Sequence, residues 1–220
     1  MLILALDTAT DKGSLALLEE DRLLGEYSLE SPGTYLTRVL PGVEALLQGT
    51  GRRLEEVQAI GVSAGPGNFT GLRIGLATAK ALAWALECPL VPVPTMEVLA
   101  AQFPFQPHPL AVLLDAKRGE VFFGLYLCPE DRPRLVAGPE RLAVAALPER
   151  LQPPLTLTGP GLNAYGRVLT ETLPRDLAWA PPQMRHPRAE TLARLARLRL
   201  AEGLTARPAQ LVPTYLRPAL

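Results

Sequence analysis

The run Gly65-Pro66-Gly67-Asn68-Phe69-Thr70-Gly71-Leu72-Arg73-Ile74-Gly75 sharply limits how this chain can fold. Before it, Ala59-Ile60-Gly61-Val62-Ser63 is short and apolar and reads as a buried strand. After it, Leu76 to Leu86 reads as a helix. A glycine-rich turn therefore feeds a helix N-terminus, where free backbone N–H groups favour anions. Two readings follow. The glycines cradle a phosphate, or they let strand, turn and helix pack closely. Gly71, Gly75, Ala79 and Ala83 recur every four residues and form one stripe. Glycine inside a helix costs up to about 1 kcal/mol relative to alanine. The stripe thus implies a close neighbour, either the chain's own sheet or a partner.

At 220 residues, the chain is long enough for one large domain or two small ones. Its 22 basic residues balance 22 acidic ones. That balance argues against a protein that grips nucleic acid alone, which needs a basic face. Cys88 and Cys128 stand 40 residues apart, which is neither a disulfide framework nor a zinc site. Met1-Leu2-Ile3-Leu4-Ala5-Leu6-Asp7 lacks a basic leader region and reads as a strand. No apolar run approaches the length of a membrane span, so a cytoplasmic protein with no membrane partner is expected.

No Gly-x-Ser-x-Gly elbow, Walker A lysine or His-Glu-x-x-His helix occurs. His108 and His186 both lie in proline-rich loops and read as surface histidines. Arg188, Arg194, Arg197 and Arg199 read as a solvated helix face, although such a cluster can also meet phosphate.

Strands are expected at 2–6, 14–18 and 23–29, joined as an antiparallel meander. A helix follows over 34–48, with apolar Leu36, Val39, Leu40, Val43, Leu46 and Leu47 in threes and fours. Pro41 is expected to kink or break it. A strand at 89–93 and a helix from Thr95 to Phe103 complete the first half. The proline-rich stretch 104–109 is the candidate boundary, giving domains 1–105 and 106–220, with helix 188–202 packing back on the first. In the second half we expect strands at 110–114, 120–127 and 155–158, an edge strand near Val136, and helices over 140–147, 163–173 and 188–202. An extended tail follows from 207.

The two halves repeat one plan. Each opens with an apolar strand ending in aspartate, Asp7 or Asp115. Each then runs through a hairpin and a helix to a strand entering a Gly-Pro-Gly turn, at 65–67 or 159–161, and a further helix. Such duplication predicts an α/β chain of two related lobes. An Asp-Thr turn after a first strand, as at Asp7-Thr8, can hold Mg²⁺ and phosphates. With Gly65 and Gly67 it forms a candidate nucleotide site. The alternative is that Asp7 and Thr8 only satisfy their own turn.

These segments resemble the TsaB (YeaZ) family. The matching pieces are Leu4 to Thr10, Gly65 to Lys80, Leu113 to Val121 and Pro213 to Arg217. The family usually has serine where Asn68 stands. The resemblance implies a two-lobed actin/Hsp70/sugar-kinase (ASKHA) fold, with a duplicated mixed sheet and flanking helices. It also implies a non-catalytic role in making N6-threonylcarbamoyladenosine at position 37 of tRNA. The implied partners are the catalytic homologue TsaD in a heterodimer and the ATPase TsaE in a ternary complex, with tRNA met only indirectly.

The catalytic homologue carries asparagine-His-Met-Glu-Gly-His after the helix that follows its Gly-Pro-Gly turn, and the two histidines bind metal. Here Pro94-Thr95-Met96-Glu97-Val98-Leu99 stands instead. Thr95 and Leu99 fill the ligand positions; leucine has no lone pair and a threonine hydroxyl is a poor ligand for iron or zinc. No metal and no cofactor is therefore expected. ATP binding or hydrolysis through Asp7 and Thr8 is the alternative, and a peptidase the third reading. The resemblance also implies a partner face, shared by TsaD and a homodimer, on the helices matching 34–48 and 71–86. The candidates are Leu36, Val39, Leu40, Val43, Gly71, Leu72, Gly75, Leu76, Ala79 and Ala83, some of which must face the sheet instead.

Overall fold

The computed structural model describes residues 1–30, 35–130 and 132–216. The chain forms two compact units. The first comprises Met1–Val98 and Pro187–Thr214; the second comprises Leu99–His186 and the residues from Tyr215.

In the first unit, β1 (Leu2–Asp7), β2 (Lys12–Glu19) and β3 (Arg22–Glu30) form the antiparallel meander. β4 (Ala59–Ser63) joins β1 in parallel, and β5 (Leu90–Val93) joins β4. The sheet order is β3-β2-β1-β4-β5. β1 is buried along its whole length, so both faces must be covered. Leu4, Leu6, Leu15 and Leu17 point one way, into a core with Val39 and Val43 of α1 (Tyr35–Thr50) and Leu72 and Leu76 of α2 (Phe69–Ala85). The alternate residues face α6 (Ala189–Ala201), which presents small side chains. A Cβ on Gly61 would lie 2.9 Å from Cβ of Ala196. The helix over 35–50 runs on through Pro41 instead of breaking. Pro41 lies on its exposed side, so the ring meets solvent rather than a packed neighbour. Thr34, expected to open this helix, lies outside the described residues. A short α3 (Thr95–Ala100) follows β5.

The second unit repeats the order. Its sheet runs β8-β7-β6-β9-β10, the same plan as β3-β2-β1-β4-β5. β6 (Gln106–Lys117), β7 (Glu120–Cys128) and β8 (Arg134–Ala143) are antiparallel, and β9 (Thr156–Thr158) and β10 (Ala178–Trp179) are parallel additions. A short α4 (Leu147–Arg150) precedes β9, and α5 (Gly161–Thr172) covers Ala111, Leu113, Phe123 and Leu157 through Leu162 and Leu169.

The expectation of a helix over 140–147 is corrected here. Residues 140–143 extend β8, with Glu140 opposite Phe123 and Ala143 opposite Glu120. Their helical propensity yields to the ladder offered by β7, since packing and pairing outweigh intrinsic preference. β8 is largely exposed and carries Arg134, Glu140, Arg141 and a proline, as suits an edge strand. The two-residue β10 was not expected from the sequence at all; it is too short to show a period.

Candidate functional site

The glycine-rich turn and the β1–β2 turn meet inside the first unit. Thr8 and Ala9 lie directly against the start of α2. The Thr8 hydroxyl donates to the Gly71 carbonyl at 2.7 Å, and the Asn68 N–H donates to the Ala9 carbonyl at 2.7 Å. A Cβ on Gly71 would lie 2.1 Å from the Thr8 carbonyl oxygen. One on Gly75 would lie 2.2 Å from Thr8 Oγ1, and one on Gly67 would lie 2.2 Å from the Ala9 carbonyl oxygen. Glycine is therefore required by close approach of the chain's own backbone. At the helix start, Asn68 Oδ1 accepts from the Gly71 N–H at 2.9 Å as an N-cap. Thr8, Ala9 and Asn68 are thus packed directly against the start of this helix.

Asp7 is fully buried. Its Oδ1 accepts from the Ala9 N–H at 3.2 Å and its Oδ2 from the Ser63 hydroxyl. The Tyr35 hydroxyl donates to the Thr10 carbonyl at 2.9 Å. Burial, then the nearby Asp7 and Asp11 carboxylates, push the Tyr35 phenol far above its ordinary value. Gly65 adopts φ +106°, where its Cβ would meet the Thr214 carbonyl oxygen at 2.6 Å. The Thr214 N–H donates to the Ala64 carbonyl at 2.7 Å, so the C-terminal segment clamps the turn. Arg217, the last residue of that family-like segment, lies outside the described residues. The four nucleotide candidates Asp7, Thr8, Gly65 and Gly67 are thus gathered in one unit, buried or half-buried in a network of internal bonds.

The partner-face candidates divide. Leu36 and Leu40 are 77% and 56% exposed. The other eight, Val39, Val43, Gly71, Leu72, Gly75, Leu76, Ala79 and Ala83, are buried within the unit. Their stripe faces β1, β4 and the β1–β2 turn, and a buried side chain has no area left to give a partner. Sequence reasoning missed Phe69 and Trp84, which are 44% and 81% exposed on the opposite side of α2. The Arg73 guanidinium sits 3.8 Å over the Phe69 ring. The signal was available. Residues 69, 73, 77 and 84 lie about half a helical turn from the glycine stripe.

Thr95 is buried, and its Oγ1 accepts from the Gly65 N–H at 3.2 Å. Leu99 is buried too. Among the described residues, no group of three or more His, Cys, Asp or Glu could hold a metal ion. His186 is a correction, being buried rather than on the surface, with Nε2 3.2 Å from Asn163 Nδ2. His108 is exposed. Burial raises the Cys88 thiol and pushes the Cys128 thiol up to about 11, so neither is poised as a thiolate. Every arginine of the α6 cluster has a carboxylate partner within its unit. Arg188 meets Glu26 and Glu190, Arg194 meets Glu190, Arg197 meets Asp21, and Arg199 meets Glu97. No helix is long and apolar enough to cross a membrane among the described residues.

Comparison with known proteins gives a consistent picture. A family model described as TsaD, tRNA N6-adenosine threonylcarbamoyltransferase, matches residues 33–219. The tRNA threonylcarbamoyladenosine biosynthesis protein TsaB of Bacillus subtilis (strain 168) is 31% identical over 222 residues, spanning 100% of this chain and 95% of the relative. Among solved structures, YeaZ from Pseudomonas aeruginosa is 32% identical with a TM-score of 0.83, covering 98% of this chain and 99% of that one. The ethanolamine utilization protein EutJ from Carboxydothermus hydrogenoformans reaches a TM-score of 0.50 at 11% identity, covering 88% and 89%, a likeness of fold alone. Identity along the whole length, carried on the same repeated sheets, places this chain in the TsaB (YeaZ) family with the ASKHA-type fold that its sequence implied.

Proposed function

We propose that this chain is a non-catalytic scaffold in the formation of N6-threonylcarbamoyladenosine on tRNA, holding a TsaD-type threonylcarbamoyltransferase in working form. One observation carries the reading. The strand-turn-helix where a related fold would hold a nucleotide is filled by Thr8, Ala9 and Asn68, while the outer sides of α1 and α2 keep Leu36, Leu40, Phe69 and Trp84 exposed. An internally filled site beside an apolar outer face fits a protein that binds a partner rather than turns over a substrate. Thr95, whose hydroxyl oxygen already accepts from Gly65 N–H, and Leu99, an alkyl group, supply no metal ligand.

The partner in this reading is TsaD, with TsaE joining the pair, and the same face serves a homodimer when TsaD is absent. The protein acts in the cytoplasm and binds no cofactor of its own. Size exclusion with the TsaD of the same cell tests this. Co-migration at micromolar concentration is expected, and the double substitution Leu36→Asp with Leu40→Asp should weaken it about thirtyfold or more, the scale of an interface anchor. Unchanged elution of both proteins on mixing would overturn the reading. Calorimetry of the isolated chain with Mg²⁺-ATP should give no saturable heat; tight binding abolished by Asp7→Ala would favour a nucleotide-using enzyme instead.

A further inference from the structure

The β6–β7 hairpin of the second unit ends in an unusual turn. Lys117, Arg118 and Gly119 have φ of +64°, +57° and +77°. Lys117 pairs with Glu120 across the ladder, so Arg118-Gly119 is a two-residue hairpin loop. Such a loop favours Asn-Gly or Gly-Gly, because a left-handed conformation costs an L-residue with a Cβ roughly 1–2 kcal/mol. Two consecutive basic residues stand here at positions where glycine or asparagine would hold the same backbone more easily. The turn is also rigidly built. Asp115 Oδ1 accepts from the Lys117 N–H at 2.8 Å, and Asp115 Oδ2 accepts from Lys117 Nζ at 2.5 Å. The Tyr165 hydroxyl of α5 donates to Asp115 Oδ1 at 2.9 Å, while the Gly119 and Glu120 amides interact with its oxygen. Lys117 Nζ is thus paired with Asp115, and the cation left without a partner at the tip, among the described residues, is the Arg118 guanidinium. Arg118 is exposed and makes no hydrogen bond or ion pair among the described residues.

We propose that Arg118, at the tip of the β6–β7 hairpin, is a contact site for the phosphodiester backbone of an RNA. This rests on the reading of the chain as part of a tRNA-modifying assembly, and it gives the chain a direct contact where the family resemblance implies only an indirect one. The arginines of α6 are each paired with a carboxylate, Glu26, Glu190, Asp21 or Glu97, which weakens the sequence's own candidate for phosphate contact. Arg118 carries no such partner, and its planar fork suits a phosphate oxygen pair. The turn fixes the Arg118 backbone, so a contact has only its side chain to order and no mobile loop.

The test uses the chain assembled with its TsaD-type partner and a fluorescent unmodified tRNA, read by anisotropy across a salt series. Arg118→Gly keeps the left-handed turn and removes the cation. It should leave the melting temperature unchanged or higher, leave co-migration with the partner intact, and weaken tRNA binding about tenfold at low salt, with the log-log salt slope reduced by about 1. Arg118→Lys should recover part of that loss. Unchanged tRNA affinity and slope with an intact assembly would overturn the proposal. So would a loss confined to protein–protein assembly, which would make the tip a docking point for an acidic protein surface. Absence of any co-migration by the unsubstituted chain would instead fail the scaffold reading.

Discussion

Gly65 and Gly159 both adopt φ +106°, each follows a short parallel strand, and each introduces a helix after Gly-Pro-Gly. Six residues later the plans part. In the first unit that position is Gly71, and the backbone of Thr8 lies directly against it. In the second it is Tyr165, whose hydroxyl reaches Asp115 across a side chain's length. The first hairpin turn is thus drawn down onto its helix and sealed, with Asp7 fully buried. The second is propped away from its helix, with Asp115 partly accessible and a basic tip exposed. At the same distance along the chain from the Gly-Pro-Gly turn, one unit places a glycine against its first hairpin turn and the other a tyrosine that hydrogen-bonds to its second.

The strongest attempt to break this comparison is Gly71→Ala. A methyl group 2.1 Å from a backbone oxygen cannot be accommodated without parting α2 from the β1–β2 turn, so at least about 3 kcal/mol should be lost in chemical denaturation. A loss below 1 kcal/mol would mean the turn is not sealed. Next are Gly65→Ala and Gly159→Ala. Both meet a carbonyl oxygen, at 2.6 Å and 2.2 Å, from the same left-handed backbone, so comparable losses of roughly 2–3 kcal/mol are expected. A large inequality would show that the two turns are not equivalent.

The two aspartates sharpen the contrast. Asp7→Ala leaves the buried Ser63 hydroxyl and Ala9 N–H without this acceptor and should cost about 2 kcal/mol. Asp115 should matter less and in a pH-dependent way. Burial raises its carboxyl, but the Lys117 side-chain and backbone hydrogen bonds, the Tyr165 hydroxyl and the Lys117 charge outweigh this and hold it below the ordinary range. A lowered folded pKa stabilises above the unfolded value of about 4, and that stabilisation is lost as pH falls through the folded value. The melting-temperature gap between the unsubstituted chain and Asp115→Asn should therefore be full at pH 7 and close towards pH 3. The smallest effect is Gly166→Ala in α5, where nothing lies within 4 Å; a gain of about 0.5–1 kcal/mol is expected.

Much of this was legible in the residues. The apolar runs at 2–6 and 59–63, the threes and fours of α1 and the paired Gly-Pro-Gly turns led to two repeated mixed sheets. The stripe Gly71, Gly75, Ala79 and Ala83 announced a close neighbour, because a periodic loss of side chains on one helix face has few other uses. Residues 140–143 misled, since edge strands carry little hydrophobic alternation and these are good helix formers. Of the residues expected on a partner face of α1 and α2, eight point inward and only Leu36 and Leu40 are exposed. Periodicity locates a face but not the direction in which it points.

The order of strands and helices came from local rules of periodicity and burial, while the glycines at 67, 71 and 75 are visible in the sequence but are required by the tertiary approach of Thr8 and Ala9. Whether those glycines served an anion or the chain itself depended on where Thr8 and Ala9 returned, sixty residues away in sequence but in contact in space. Only the tertiary structure set Thr8 and Ala9 against those glycines and turned Phe69, Trp84 and Arg118 outward, because packing direction is not written in residue spacing.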